Sequence, residues 1–410
     1  MGKLLNFNEI IIADLHIHSK YSRACSINLS FENLVKWAKI KGINLIGTGD
    51  FTHPLWIKEI EEKLIEKNGL YYFGDFPFVI TGEICLMYTQ EKGRRVHLNL
   101  LIPNLETAKK INSYLDTKGR RDYDGRPIFK LSCEQFAKDL MNISKDIEII
   151  PAHIWTPWFG IFGSETGFDS LKEAFGKEFE NIHAIETGMS SDPEMNWKIK
   201  ELESKAIVSF SDAHSFWPFR LGREATIFYK LNSYQELIKQ IRENSFVSTI
   251  ETDPAYGKYH WDGHRLCNFS CSYKESKKLN NICPVCKKSL VIGVDNRVEQ
   301  LSSHEKGFKL ENSKPFYKLL PLHELLALVF ETAMESKTIW REYNSLIELF
   351  GNEFNILLDV SPEEFASKKV DKKIIEIILK NREGKIKVKP GFDGEYGKAL
   401  SGDKQGKLFD

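Results

Sequence analysis

From residue 10 to about residue 230, short apolar runs rich in β-branched residues alternate with longer stretches in which apolar positions return every third or fourth residue. The runs IIIAD, INLIGT, FVITGEICL, VHLNLLIP, IEIIPAH, HAIETG and AIVSFSD have the length and composition of buried strands. Between them, Ser30 is placed to cap a helix over FENLVKWAKIKG and Ser132 another over CEQFAKDLMNI, while Asp192-Pro193 opens a third over EMNWKIKELESKA. About seven strand–helix units in series predict a barrel-like or doubly wound sheet of parallel strands. Beyond residue 250 the pattern changes. Residues 251–300 carry few helical signals, whereas FYKLLPLHELLALVFET, TIWREYNSLIELFG and SPEEFASKKVDKKIIEIILKNREG read as amphipathic helices. The last stretch, KVKPGFDGEYGKALSGDKQGKLFD, is rich in Gly and Lys and predicts irregular chain.

Composition narrows the class without naming a task. With 42% hydrophobic and 28% charged residues, the 410-residue chain can bury a large core, and its length predicts two or three domains. No apolar run approaches the ~20 residues of a membrane span, so no membrane partner is expected. The N-terminus MGKLLNFNEI lacks a signal-peptide pattern, which predicts a cytoplasmic protein. A formal net charge of zero offers no argument for a nucleic-acid partner by itself, although a basic groove is compatible with it. Of seven cysteines, Cys25, Cys85 and Cys133 are scattered and read as buried thiols. The other four, Cys267, Cys271, Cys283 and Cys286, follow a C-x3-C-x11-C-x2-C spacing, which in a cytoplasmic chain favours a structural zinc over disulfides.

Metal-grade side chains recur at strand ends. Asp14, His16 and His18 close the first apolar run, and His16 and His18 share a face if the strand continues. Asp50 and His53 follow the second run, Glu83 interrupts the third, His97 lies in the fourth, His153 closes the fifth, and Asp212 with His214 closes the last. A carboxylate in an apolar strand costs several kcal/mol unless a cation or partner compensates it. Residues from about six strand ends converge on one mouth in a β/α barrel. Imidazoles with carboxylates suit zinc, manganese or iron, and so many candidates suit two or three ions with Glu83 bridging. Asp14 reads as a residue that orients a liganding imidazole. Clustered divalent ions activate water and clamp the oxygens of a displacement at phosphorus, so phosphate-ester hydrolysis leads, with amide or amine hydrolysis second.

The motifs DLHIHS, the Asp50–His53 segment, Glu83, His97, His153 and SDAH together resemble the polymerase-and-histidinol-phosphatase (PHP) superfamily. That resemblance implies an α/β fold, a distorted seven-stranded (β/α) barrel with a trinuclear site. It implies that His16, His18 and Asp212 hold one ion and that Glu83 bridges to a second, held by His97 and His153. A third would take His214 and either Asp50 or His53. His16, His18, Glu83 and Asp212 would form the catalytic core. Two departures are visible: Ala24 stands where a further histidine is common, and Asp50 is followed by His53 three residues on rather than by an adjacent histidine.

The barrel followed by a four-cysteine module and a helical region resembles the endonuclease Q family, most specifically in PAHIWTPWFG, ETGMSSDPEMNW, SFSDAHS and KPGFDGEYG. This resemblance divides the chain into a catalytic PHP barrel (1–250), a zinc-binding module (251–300), a helical C-terminal domain (301–390) and a flexible tail (391–410). It implies a metal-dependent DNA-repair endonuclease that nicks 5′ of deaminated bases (uracil, hypoxanthine, xanthine) and of abasic sites. The alternative is a PHP phosphoesterase acting on nucleotides or small phosphate monoesters. For substrate contact we expect Trp155, Trp158 and Phe159 to stack on or wedge between bases, and Ser190 and Ser191 to read a flipped base. Tyr21 and Arg23 are expected at the scissile strand, and the clusters Arg94–Arg95 and Arg120, Arg121 and Arg126 along the backbone. In the tail, Gln405, Leu408 and Phe409 fit a Q-x-x-L-F pattern for docking on the sliding clamp.

Overall fold

The computed structural model describes residues 6–305 and 307–400. The clamp pattern at Gln405, Leu408 and Phe409 lies outside the described residues. In chain order the strands are β1 (Ile10–Asp14), β2 (Leu45–Gly47), β3 (Ile65–Lys67), β4 (Leu70–Phe73), β5 (Phe76–Gln90), β6 (Lys92–Ile102), β7 (Ile128–Phe129) and β8 (Glu148–Pro151). They continue with β9 (Ala184–Glu186), β10 (Ala206–Val208), β11 (Ala225–Tyr229), β12 (Ser248–Glu251), β13 (Asp262–His264), β14 (Phe269–Cys271) and β15 (Phe316–Lys318). One sheet runs β15-β12-β11-β1-β2-β5-β4-β3, with β6 and β7 joined to β5 and β8 to β6, while β9 and β10 pair separately.

The sheet is mixed. Parallel pairing joins β1 to β2 and β2 to β5, but β1 also pairs antiparallel with β11; the separate β9–β10 pair is parallel. The largest departure from a strand–helix alternation has a local cause. Glu91 takes a left-handed φ of 60° and turns β5 directly into β6, so the two form a hairpin with no helix between them. Its register sets Glu83 opposite Asn99 and Cys85 opposite His97, which puts Glu83 and His97 on one face.

β1 is apolar from Ile10 to Ala13 because both its faces are covered. Ile10 and Ile12 belong to one buried cluster, and Ala13 with Leu15 to another. Ser30 and Ser132 cap their helices, accepting from Asn33 N and Gln135 N. The helix opened by Asp192 stops at Trp197, and a short 3-10 turn over Lys200–Ser204 follows. Asn196 donates its side-chain amide to the Asp192 carbonyl at 2.8 Å, competing with the helical backbone. Phe316–Lys318 is strand rather than helix; Pro321, which lacks an N–H, delays the helix to Leu322–Phe330.

Further helices follow at Lys337–Phe350, Glu353–Leu358, Pro362–Ser367 and Lys372–Arg382, and their apolar faces join the same buried cluster as Ile12. A buried ion pair fixes them to the sheet's helices. Lys41 Nζ lies 2.7 Å from Glu353 Oε1 and 2.7 Å from the Pro218 carbonyl. The Tyr343 hydroxyl donates to the other Glu353 oxygen at 2.9 Å. Gly42, at φ 96°, permits this approach, since a Cβ there would sit 2.4 Å from Asn352 Oδ1. Among the described residues no helix is long and apolar enough to cross a membrane.

Candidate metal centre

Two groups of ligand atoms meet at one carboxylate. His16, His18, Glu83 and Asp212 place a ligand atom each within 4.8 Å of one another, and so do Glu83, His97 and His153. Glu83 Oε2 faces the first group, 3.3 Å from His18 Nε2 and 3.7 Å from His16 Nε2. Its Oε1 faces the second, 2.7 Å from His97 Nδ1 and 3.2 Å from His153 Nε2. The hairpin register explains the Glu83–His97 part of this geometry. The chain turns sharply at the other strand ends: Asp50, His153 and Asp212 take left-handed φ values of 47°, 31° and 50°. Such conformations cost roughly 1–3 kcal/mol each and persist where the surroundings impose them.

Burial alone would lower the pKa of His16 and His18, yet both lie well above the ordinary imidazole value. The carboxylates of Glu186 and Glu83 raise the first, and those of Asp50, Asp212 and Glu83 the second. For His97 burial prevails over the Glu83 charge and pushes the pKa down to about 4, leaving the neutral, liganding form. His16 Nε2 is buried without a hydrogen-bond partner, 3.7 Å from both Glu83 Oε2 and Asp212 Oδ1. An orphaned imidazole nitrogen facing two carboxylates is a donor set that fits a divalent cation.

Orientation comes from residues behind the ligands. Both Glu186 oxygens lie against His16 Nδ1, at 2.9 and 3.0 Å, and one also accepts from His153 N at 2.8 Å. Sequence reasoning missed Glu186, although HAIETG carries the same signal as Glu83, an acid inside an apolar strand. Asp14 instead anchors the loop that bears Asp212, accepting from Ser211 N at 3.0 Å and Gly222 N at 2.8 Å. Asp50 lies 3.0 Å from His18 Nδ1 and accepts from Ser19 N, Ser19 Oγ and Ser22 Oγ. It orients His18 and stands in neither ligand group. His53 precedes the helix Pro54–Lys63 and stacks on Tyr21, ring centroids 4.3 Å apart. His214 packs tilted against His18, ring centroids 4.4 Å apart, and lines the cavity described next, but neither it nor His53 joins a ligand group.

The centre opens into a cavity of about 740 Å³. Of the expected substrate residues, Trp158, Phe159 and Ser190 line it. Trp155 does not: it is fully buried and donates Nε1–H to Asn196 Oδ1 at 2.8 Å. Ser191 is buried and donates to the Thr187 carbonyl. Tyr21 donates to Glu59, and Arg23 projects outward beside Asp124. Arg94 is buried against Phe168 and Glu173. Arg126, by contrast, lines the cavity and places a guanidinium nitrogen 2.9 Å from Glu83 Oε2. The remaining wall was not foreseen. Lys258, Tyr259, Tyr396, Arg220 and Arg223 contribute to it, from glycine-punctuated stretches such as YGKYH and DGEYG that give no periodic signal.

Away from the cavity, His264, Cys267, Cys283 and Cys286 bring their ligand atoms within 4.8 Å of one another. Cys271 packs in the same small apolar cluster but is not part of this group. Lys274, Lys277 and Lys278, on the spacer between the cysteines, are exposed.

Residues 321–385 match the family model described as the MJ0043 C-terminal domain. The uncharacterised protein MJ0043 of Methanocaldococcus jannaschii is 32% identical over 292 residues, 68% of this chain; the match spans only 34% of that longer protein. The uncharacterised protein YqxK of Bacillus subtilis is 26% identical over 413 residues, 95% of this chain and 98% of its own. The crystal structure of the lesion-specific endonuclease PfuEndoQ from Pyrococcus furiosus superposes with a TM-score of 0.86 at 31% identity, over 97% of each chain. The chain belongs to the endonuclease Q family. A second endonuclease Q structure, a complex with a 27-mer duplex carrying an abasic lesion at the active site, matches at TM-score 0.86 and 32% identity, over 97% of this chain and 98% of that one. An endonuclease Q fold thus accounts for nearly all of the described chain.

Proposed function

We propose that this member of the endonuclease Q family is a metal-dependent DNA endonuclease that nicks the phosphodiester on the 5′ side of abasic sites and of deaminated bases. The observation that carries the reading is one carboxylate, Glu83, shared by two ligand groups at the edge of an open cavity. Zinc, manganese, iron or magnesium, when bound there, supplies an activated water and neutralises charge at the scissile phosphate. His16, His18, Glu83 and Asp212 would hold one ion, and His97 and His153 with Glu83 would hold a second. Glu186 and Asp50 fix the two imidazoles of the His-x-His pair, and Asp14 fixes the loop carrying Asp212.

The cavity volume falls within the ~300–1,000 Å³ of sites that enclose a small ligand, which suits a nucleotide turned out of the duplex. Trp158, Tyr259 and Phe159 offer faces and edges for stacking, and Arg126 offers a cation beside the metals for the phosphate. Lys258 has donors and no acceptor. Facing the base edge, it favours the carbonyl of uracil, hypoxanthine or xanthine and leaves the amine of cytosine or adenine unpaired. Gln405, Leu408 and Phe409 would supply a clamp-docking peptide; removing them should abolish clamp pull-down and leave nicking intact.

The test is a labelled duplex with a single uracil, hypoxanthine or abasic site, incubated with manganese, magnesium or zinc. A single nick 5′ of the lesion is expected, abolished in Glu83→Gln and His16→Ala. Phosphate release from mononucleotides with no nick under any metal would replace this reading with the small-molecule phosphoesterase.

A further inference from the structure

The strands that carry Glu186 and lead to Asp212 are not laddered to the main sheet. β9 and β10 form a separate two-stranded sheet, and side chains make the join. Ser209, just past β10, donates its N–H to Thr226 Oγ1 at 3.0 Å, and that hydroxyl donates to the Ser209 carbonyl at 3.0 Å. Glu251, the last residue of β12, completes the join. Its Oε2 lies 2.9 Å from the Thr187 hydroxyl and 3.0 Å from the Ser209 hydroxyl, while its Oε1 meets the hydroxyl of Thr249. Thr187 follows Glu186 directly, and Ser209 stands three residues before Asp212. One carboxyl thus spans the two chain segments that bring an orienting acid and a ligand to the metal centre.

A second buried acid stands beside it. Glu224, just before β11, is fully buried; one of its oxygens accepts from Thr252 N at 3.1 Å, and the other, Oε2, has no hydrogen-bond partner. Each neighbouring charge is already engaged. Glu186 faces His16 at 2.9 Å, Asp192 lies 2.7 Å from Lys318 Nζ, and Arg223 lies 3.2 Å from Glu324. A buried carboxyl with no cation of its own keeps its proton. Burial, then the charge of Glu251, raises Glu224 well above the ordinary carboxyl value. Burial also pushes Glu251 up to about 8, against the pull of its three hydroxyl partners and with help from the Asp192 charge.

We propose that Glu224 and Glu251 are positioning residues for the metal centre, a pair that fastens the ends of β9 and β10 to β12 while it stays protonated. The inference rests on the reading of the Glu83 cluster as a metal site. As the pair ionises, charge collects in a dry site that already faces Glu186 and Asp192, and Glu251 is driven off Thr187 and Ser209. An unfolded glutamic acid loses its proton near pH 4.5, whereas the folded pair keeps its protons to about pH 8. The stability that the neutral pair contributes is therefore whole below pH 4.5 and is lost as the pH rises through about 8. Glu186 and Asp212 then lose their fixed places, and metal affinity falls with them.

Two measurements on the full-length chain test this, and neither depends on nicking. Infrared difference spectra at pH 7 read the carbonyl stretch of protonated carboxyls, a band set apart from those of carboxylates and amides. Glu224→Gln should remove one carboxyl's share of it. Manganese(II) favours oxygen and imidazole ligands over thiolates, so its uptake, followed by the paramagnetic resonance of the free ion, reports the Glu83 cluster apart from the cysteines. At pH 7 Glu251→Ala should weaken manganese binding by about 10-fold to 100-fold, as losses behind metal ligands typically do. Glu251→Gln and Glu224→Gln, which imitate the neutral acid, should bind within a few-fold of the parent at that pH. At pH 9 both Gln variants should bind more tightly than the parent, because an amide has no proton to shed and gains no charge. An unchanged carboxyl band in Glu224→Gln would overturn the proposal, as would Gln variants whose affinity relative to the parent is the same at pH 7 and pH 9; both results leave the metal-site reading intact. A parent that takes up no manganese at either pH would overturn the two together. Should Glu251→Ala fail to fold, the Gln variants still decide it.

Discussion

Glu186 is buried outside the cavity lining, yet both its oxygens touch the centre, holding His16 from behind and accepting from the backbone of His153. Residues that orient ligands in this way typically account for 10–100-fold in metal affinity or activity. We expect Glu186→Gln to lower single-turnover nicking by about that factor, partly restored by raising the metal concentration, with little change in melting temperature; unchanged nicking across a metal titration would refute the role. His53→Gln, in contrast, should nick within a few-fold of the parent, because His53 stands in neither ligand group. Arg126→Ala should lose far more activity than Arg126→Lys, measured as kcat under saturating DNA, if a cation beside Glu83 meets the phosphate. The residues of the two candidate ligand groups were legible because a carboxylate or imidazole at the end of an apolar run has few inexpensive explanations. Glu186 carried the same mark in HAIETG, but its partner His16 lies 170 residues away, a pairing that the sequence does not display. Trp155 went the other way: its run of aromatic neighbours says nothing about which ring turns inward, and Asn196, which satisfies its indole N–H, is far away in sequence.

At the scale of elements, the caps at Ser30 and Ser132 located their helices, while the helices Tyr273–Lys278 and Val294–Leu301 and the strands' pairing partners were hidden. Nothing in GEICLMYTQEKGRRVH announces that β5 and β6 form one long hairpin, since Glu91 takes a conformation usually left to Gly or Asn. The helical region holds a different kind of surprise. His323, on Leu322–Phe330, is fully buried among Phe219, Trp340 and Tyr343, with neither ring nitrogen partnered. Burial, helped by the charge of Lys41, pushes its pKa down to about 3 from an ordinary 6.5. The unfolded chain therefore binds a proton that the folded chain refuses. The stability owed to neutral His323 is complete above pH 6.5 and falls as the pH drops toward 3, by up to about 1.4 kcal/mol per pH unit. Melting curves of His323→Phe between pH 7 and pH 5 should show a shallower decline than the parent; parallel declines would rule this out.

Across the whole molecule, the centre gathers residues from His16 to Asp212, and the C-terminal helices reach it indirectly. Arg223 lines the cavity and pairs with Glu324 at 3.2 Å. The Lys41–Glu353 pair makes a second tie, fully buried. Lys41→Met should destabilise the protein by about 3–5 kcal/mol, because it strands the Glu353 charge; calorimetry showing a smaller loss would mean the pair is dispensable. The sheet itself supplies a third connection, since β15 lies parallel alongside β12 as its outermost strand. A chain stopped at residue 300 would keep its cavity residues up to Tyr259 but bare the N–H and C=O groups along β12 to any passing molecule. Such open edges recruit further copies of themselves, so the truncated protein should sediment as aggregates even where its remaining helices are intact.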